Sequence, residues 1–465
     1  MKVEQIYTGC LAQGAYYIES NGEAAIIDPL RETAPYTKRA EKDNATIKYI
    51  FETHFHADFV SGHIELAEKT GGTIVYGPNA NCQFSCYEAK DGEVFKLGNV
   101  TITALHTPGH TMESTTYLLT DEQGNKHSIY TGDTLFLGDV GRPDLAIKSD
   151  LTKEDLAGHL YDSLHNKILP LPDSVIVYPG HGAGSACGKS MSKDTVDTLG
   201  NQKRVNYALQ PMSKQEFVAK VTEGLSAAPQ YFPKNAMMNK QGAKPLEEIM
   251  EKGTKGWEPN EFENVAESTE ALLLDVRDAQ NFAKGFVPNS INIGVEGQFA
   301  PWVGALITDL TQPILLITEP GKEEETVTRL ARVGYDNTIG YLKGGIEAWK
   351  AAGKEVDTVH SISPQQFEQE LSNGGHVLDV RRVNEYETEH LVNADNKPLD
   401  YINDWMAELD RSKPYYIHCA GGYRSMITSS ILKARGFDNI TEVAGGYGAI
   451  KNTNLPRTSG VNQAQ

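Results

Sequence analysis

The sequence predicts a multidomain α/β protein, and three observations carry the prediction. The chain has 465 residues, which at roughly 100–200 residues per domain corresponds to two to four domains. Its first half alternates short β-rich runs with helical stretches, the pattern of sheets covered by helices. Its second half repeats itself with a period of about 100 residues.

In the first half, Ala24-Ala25-Ile26-Ile27-Asp28 and Val100-Thr101-Ile102-Thr103-Ala104-Leu105 read as strands, and residues 62–69 read as a helix. Across 190–255 the pattern turns helical and polar, then loose over 229–242, so the first domain is expected to span 1–245. In the repeat, Leu273-Leu274-Asp275-Val276-Arg277 recurs as Val377-Leu378-Asp379-Val380-Arg381. Pro313-Ile314-Leu315-Leu316-Ile317 recurs as Pro414-Tyr415-Tyr416-Ile417-His418, and Leu342-Lys343-Gly344-Gly345 as Val443-Ala444-Gly445-Gly446. Each copy alternates strands and helices, which predicts two small parallel α/β domains over 258–355 and 358–456. Ligands of such folds lie beyond the carboxyl ends of the strands, so the segments after Ile317 and His418 are the candidate sites.

The composition is that of an ordinary globular protein. With 43 glycines, tight turns are expected to be frequent. A formal charge of −19 repels phosphate backbones and excludes nucleic acid as the expected partner; its simplest use is solubility. No apolar run is long enough to cross a bilayer, and residues 1–7 lack the apolar stretch of a signal peptide, so a cytoplasmic protein without a membrane partner is expected. The five cysteines, Cys10, Cys82, Cys86, Cys187 and Cys419, are odd in number and scattered. They predict free thiols in a reducing compartment and no disulfide framework.

Metal-binding chemistry is written in four ordered pieces. A strand over 47–51 runs into Glu52-Thr53-His54-Phe55-His56-Ala57-Asp58, and histidines two apart with a carboxylate two further on can converge on one ion. Thr107-Pro108-Gly109-His110, Thr131-Gly132-Asp133-Thr134 and Tyr178-Pro179-Gly180-His181 follow, each with a glycine beside the ligand that lets the backbone turn sharply.

These pieces resemble the metal-binding motifs of the metallo-β-lactamase superfamily, and the resemblance covers residues 1–240. It implies an αββα sandwich for the first domain. The superfamily pattern is His-x-His-x-Asp-His, and Phe59 stands where the last histidine, a ligand of the second metal, belongs. His63, four residues on, is a candidate substitute. Two histidines and one carboxylate on a single ion form the facial triad of non-haem Fe(II) oxygenases, with open positions for substrate and dioxygen. The domain is most similar to the persulfide dioxygenase branch, and Leu137-Gly138-Asp139-Val140-Gly141-Arg142-Pro143-Asp144 resembles it too. The resemblance implies His54, His110 and Asp133 as ligands of a mononuclear iron. His56, Asp58 and His181 are then supporting residues or alternative ligands. Arg142 is read either as binding an anionic substrate group or as paired with Asp144 or Asp139. Cys187, on the rim with His181, is given a packing role.

The strand ending at His418 leads into Cys419-Ala420-Gly421-Gly422-Tyr423-Arg424-Ser425 and a helical stretch over 426–434. Such a loop points successive N–H groups at its centre, a helix N-terminus adds partial positive charge, and Arg424 closes the loop, all favouring a thiolate or persulfide on Cys419. This segment resembles the rhodanese active loop. The resemblance implies a parallel α/β domain with Cys419 as nucleophile and with Arg424, Ala420, Gly421, Gly422, Tyr423 and Ser425 around the substrate. In the first copy, Thr318 stands opposite Cys419 and Glu323 opposite Arg424, so residues 258–355 are expected to be rhodanese-like but inactive, a structural or docking domain.

Together the resemblances imply oxidation of a small thiol persulfide by dioxygen to sulfite and thiol, coupled to sulfur transfer onto sulfite that yields thiosulfate, as in sulfide detoxification. Glutathione, coenzyme A and other small thiols remain open as carriers, and related fusions imply a homo-oligomer. Two alternatives stand beside this reading: a zinc hydrolase similar to glyoxalase II with an accessory rhodanese, and a non-catalytic sulfur-binding scaffold.

Overall fold

A computed structural model describes residues 1–145, 151–225, 228–372 and 374–460. The chain divides into two compact units, Met1–Glu247 with Ala331–Gly334, and Glu248–Leu330 with Tyr335–Gln465.

The first unit is built on two six-stranded sheets. One carries Lys2–Thr8, Gln13–Ser20, Glu23–Ile27, Thr46–Phe51, Thr73–Tyr76 and Tyr87–Glu88 in chain order, antiparallel up to Glu23–Ile27 and parallel beyond it. The other carries Val94–Leu97, Val100–His106, Thr115–Thr120, Lys126–Gly132, Ile176–Pro179 and Asp197–Thr198, with Lys126–Gly132 and Ile176–Pro179 parallel. The alternating apolar residues of both inner faces, Tyr16, Ile18, Phe51, Val75, Leu97, Ile102, Tyr117, Leu119 and Tyr130 among them, form one buried cluster between the sheets. Each fully buried side chain of this kind contributes about 1.5–3 kcal/mol. Helices Ala34–Lys42 and His63–Thr70 cover the outer face of the first sheet through Tyr36, Ala40 and Leu66. Helix Lys153–Ser163 covers the second sheet through Leu160, packed with Leu118, Ile129 and Val177. The result is the αββα sandwich.

Two expectations are corrected in this unit. Residues 229–242, read as loose, hold the helix Phe232–Gln241; Pro233 sits in its first turn, where a missing N–H costs nothing, and Gly242 ends it at φ 100°. Cys82 and Cys86, read as free thiols, form a disulfide, because the turn between them brings their Cα atoms to 6.5 Å. Cys10, Cys187 and Cys419 are free.

The second unit contains the repeat as two five-stranded parallel sheets of the same strand order. The first runs Gly256–Trp257, Thr338–Leu342, Ile314–Ile317, Leu272–Asp275, Ile291–Asn292; the second runs His360–Ile362, Ile440–Val443, Tyr415–His418, His376–Asp379, Ala394–Asn396. The repeated Asp-Val-Arg has a structural reason. Asp275 and Arg277 form a buried ion pair at 2.6 Å, and the guanidinium also donates to Gly285 O at 2.9 Å. Asp379 and Arg381 do the same at 2.6 Å, with Glu389 O at 2.8 Å. The motif thus pins an inner strand to the backbone just past the following helix in both copies. Among the described residues no helix is long and apolar enough to cross a membrane.

Candidate metal centre and cysteine loop

All four ligand-bearing pieces leave the carboxyl ends of strands. Thr46–Phe51 delivers His54, His56 and Asp58, Val100–His106 delivers His110, Lys126–Gly132 delivers Asp133, and Ile176–Pro179 delivers His181. Gly132 and Pro179 are cross-strand partners of a parallel pair, so Asp133 and His181 emerge side by side. The glycines are required sterically. Gly132 is left-handed at φ 49° and a side chain there would overlap Thr53, while one on Gly109, at φ 147°, would lie 2.5 Å from the Leu160 backbone.

Three buried ligand atoms converge. His110 Nε2 is 3.4 Å and His54 Nε2 3.9 Å from Asp133 Oδ2. His110 Nδ1 lies 2.9 Å from Arg142 O. A carbonyl only accepts, so Nδ1 carries the proton and the Nε2 lone pair faces Asp133. His54 Nδ1 is held by Thr53 Oγ1 at 3.0 Å. Burial, with His56, His110 and His181 close by, keeps His54 well below the ordinary imidazole range, so its ring is neutral and able to ligate. Neither oxygen of the buried Asp133 has a hydrogen-bond partner among the described residues. A buried carboxylate left in that state is costly, and two imidazoles with one carboxylate suit a first-row divalent ion. The residues present therefore fit a metal.

The remaining predicted residues fall into a second group beside the first. His56 has a ligand atom within 4.8 Å of those of Asp58 and His181, and its Nε2 lies at ion-pair distance from Asp28 Oδ1, 3.1 Å, and Glu52 Oε2, 3.3 Å. Burial opposes its charge, but Asp28 and then Glu52 outweigh burial and hold it well above the ordinary imidazole range, as a cation. Phe59 is fully buried and stacks on its ring at 4.2 Å. Asp28 in turn accepts from Thr53 N at 2.7 Å and Thr53 Oγ1 at 2.8 Å, so the pair braces the turn that carries His54. His63 does not replace the missing histidine. Its Nδ1 is 3.2 Å from Glu52 Oε1 and its ring packs on Phe84, which ties it to the supporting network. His181 Nε2 lies 3.4 Å from Asp58 Oδ2 and 3.6 Å from Asp133 Oδ1, next to the three-ligand group.

Of the two readings of Arg142 the structure shows the ion pair with Asp144, and Cys187 is buried beside the centre. Arg142 is buried and its guanidinium grips Asp144 through two bonds of 2.7 Å and the Ala186 carbonyl at 3.3 Å. It reaches the centre by its backbone carbonyl, through His110, and its charge is committed to Asp144. The Cys187 sulfur is within 4.8 Å of ligand atoms of Asp133 and His181, so it forms part of the wall of the centre. Burial, reinforced by Asp58 and Asp133, pushes its thiol well up, so it is neutral. Sequence reading missed Asp28 and Asn239. Asp28 ends a strand and adopts φ 50°, a faint local signal. Asn239 donates to His56 O and Phe59 O at 2.7 Å and receives Ser61 N at 2.8 Å, tying down the ligand loop from 183 residues away, which no local pattern reveals.

In the second repeat copy, Cys419 lies at the end of strand Tyr415–His418 and is buried. Its Sγ receives Gly422 N at 3.1 Å and lies 3.6 Å from Ser425 Oγ, which donates to Glu442 Oε1 at 2.8 Å. Gly422 adopts φ 104°, and the helix starts at Tyr423, three residues before the expected position, so Arg424 and Ser425 belong to its first turn. Arg424 is bound by Glu385 through bonds of 2.6 and 2.8 Å, and their mutual attraction lowers the Glu385 carboxyl. Beyond the matching strand Ile314–Ile317 the first copy offers Thr318, and Glu323 opens its helix Glu323–Arg332.

Comparison with known proteins agrees with this layout. The metallo-beta-lactamase superfamily matches residues 8–181, and the rhodanese-like domain matches 258–352 and 363–453. The persulfide dioxygenase ETHE1, mitochondrial, of Homo sapiens is 30% identical over 198 residues, 42% of this chain and 70% of that protein. The cytoplasmic hydroxyacylglutathione hydrolase of Arabidopsis thaliana is 33% identical over 177 residues, 37% of this chain and 65% of that protein. The chain spans less than two thirds of the length of this hydrolase and only 58% of a probable one from Schizosaccharomyces pombe. Among solved structures, a metallo-beta-lactamase from Staphylococcus aureus subsp. aureus COL is 30% identical with a TM-score of 0.65, covering 74% of this chain and 98% of that one. On the shared fold, the matched motifs and the extent of these similarities, the chain belongs to the metallo-β-lactamase superfamily and carries two rhodanese-like domains behind that fold.

Proposed function

We propose that the first domain is a mononuclear non-haem iron persulfide dioxygenase and that the last domain transfers sulfane sulfur through Cys419. The observation that supports this most is the sorting of the histidines. His54, His110 and Asp133 face one another, whereas His56, which also comes within reach of Asp58 and His181, lies at ion-pair distance from Asp28 and Glu52, and Phe59 stands where a second ion would use a histidine. A ferrous ion on those three side chains would keep positions open for a persulfide sulfur and for dioxygen. The overall reaction turns a persulfide, dioxygen and water into the parent thiol, sulfite and two protons. The protein's part is to hold the donors: Arg142 O fixes the tautomer of His110, Thr53 and Asp28 fix the turn of His54, and Asp58 with His181 provides a polar wall beside Asp133.

Cys419 as thiolate attacks the outer sulfur of a persulfide and releases the thiol. Sulfite then attacks the sulfane sulfur on Cys419, the S–S bond breaks, and thiosulfate leaves with Cys419 regenerated. The Gly422 N–H, aimed at Sγ, holds the negative charge of the sulfur. Small-thiol persulfides, glutathione and coenzyme A persulfides among them, are the proposed substrates, sulfite the acceptor, and removal of sulfide the purpose.

Oxygen uptake by the iron-loaded protein on addition of glutathione persulfide, with sulfite and thiosulfate assayed, tests the proposal. Uptake should vanish in His110→Ala, and Cys419→Ser should keep sulfite release and lose thiosulfate. No uptake with any small persulfide, together with thioester hydrolysis by the zinc-loaded protein, would overturn it. That outcome is the second reading, a zinc thioester hydrolase, which the 33% identity to a hydroxyacylglutathione hydrolase supports.

A further inference from the structure

We propose that the first rhodanese-like copy, which has no nucleophile, is the positioning partner of the Cys419 loop and acts on it through Tyr423. The inference rests on reading Cys419 as the sulfur-carrying residue. Tyr423 is the first residue of helix Tyr423–Ala434 and directly follows Gly422, whose N–H is 3.1 Å from Cys419 Sγ. Its side chain leaves its own domain. The hydroxyl donates to Gly294 O of the first copy at 2.6 Å. A methyl group on Gly297 would lie 2.6 Å from the Tyr423 ring, and one on Gly294 would lie 3.3 Å from it. Neither glycine has a positive φ. Their bareness therefore serves space and not backbone conformation: the chain over 294–297 is laid flush against the ring.

Further contacts hold the same helix. Asn292 N donates to Ser430 Oγ at 2.8 Å, and Phe282 and Phe286 pack with Met426. Gln280 Nε2 reaches Glu442 Oε2 at 3.5 Å, and Glu442 Oε1 receives the Ser425 hydroxyl that lies beside the Cys419 sulfur. Ser425, Thr428, Ser429 and Ser430 are all fully buried. A helix with that many buried hydroxyls and no long apolar side chains at those positions is adapted to a fixed neighbour. Loss of the nucleophile in the first copy thus left a domain whose retained role is to fix the geometry of the second copy's loop.

Gly297→Ala in the full-length protein tests this. Carbon atoms pack at about 3.5–4.0 Å, so the added methyl must push the Tyr423 ring by roughly 1 Å. A shift of that size at a reacting group costs on the order of tenfold to a hundredfold in rate. The expected result is a loss of at least about tenfold in kcat for thiosulfate formation with a smaller change in KM, and an upward move of the pH midpoint for iodoacetamide alkylation of Cys419, followed by peptide mass spectrometry. In a Tyr423→Ala background Gly297→Ala should add nothing, because the two residues act through one contact. Tyr423→Phe, which keeps the ring and loses only the bond to Gly294 O, should move the alkylation midpoint in the same direction by less, and decides the matter if Gly297→Ala does not fold. An unchanged alkylation profile in both Gly297→Ala and Tyr423→Phe, or equal losses from Gly297→Ala with and without Tyr423, would overturn the proposal. Alkylation needs no sulfur transfer, so a wild-type protein without transferase activity would sink the reading of Cys419 and leave the positioning contact to be judged by alkylation alone.

Discussion

Replacing Asp133 by asparagine should reverse the relation between metal and stability in the first domain. In the folded chain Asp133 is buried, neither carboxylate oxygen has a hydrogen-bond partner among the described residues, and both face imidazoles, those of His54, His110 and His181. Such a group opposes folding when nothing neutralises it and favours metal binding when an ion is present. An ion that binds only the folded state adds about 4.1 kcal/mol at a thousandfold excess over its Kd. For a domain of this size each kcal/mol is about 2–4 °C in Tm, so ferrous or zinc ion should raise the transition of the wild-type first domain by about 8–16 °C. Asp133→Asn removes the charge and leaves a weak amide ligand. Its transition should not respond to metal, and after chelation it should melt at or above the chelated wild type. Differential scanning calorimetry of both proteins, each with EDTA and with excess metal, reads all four values. A wild type indifferent to metal, or an Asp133→Asn protein that gains as many degrees, would refute the placement of the metal on Asp133.

Two further outcomes follow from the same structure. Phe59→His puts an imidazole against His56, whose ligand atoms lie within reach of Asp58 and His181, and metal analysis should then find a higher ion content per chain than in the wild type; an unchanged content would refute the idea that the missing histidine limits the number of ions. Glu385 has its carboxyl lowered below its ordinary 4.5 first by the Arg424 hydrogen bonds, with burial opposing. The folded protein therefore binds this proton less readily than the unfolded chain. The stability from the pair is complete above pH 4.5 and is lost as pH falls through the lower folded value. Glu385→Gln should flatten the acid limb of Tm against pH in that window, and an unaltered limb would show that the ion pair contributes nothing there.

Much of this was readable in the sequence because it is local. Which residues are candidates to ligate a metal, and that three of the four pieces place a glycine beside the candidate, follows from short spacings at strand ends, as in Gly109-His110 and Gly132-Asp133. The repeat was legible because Asp-Val-Arg performs one local task twice, pinning an inner strand to the backbone that follows it in both copies. The difference between Cys419 and Thr318 needed no more than aligning the two strands before them. Other features depend on partners far along the chain, and only the tertiary structure decided them. The partners of His56 were open until the fold brought Asp28, at the end of another strand, to 3.1 Å from it. The charge of Arg142 was open until the fold joined it to Asp144 and to the carbonyl of Ala186. Cys82 and Cys86 became a disulfide because the turn between them closed. Tyr423 looked like one residue of its own loop, and the fold seats it on the bare backbone of another domain. Chemistry that arises from residue type and short spacing is fixed by the sequence directly. The direction a side chain faces is fixed by whichever group meets it after folding, and local sequence does not encode that group.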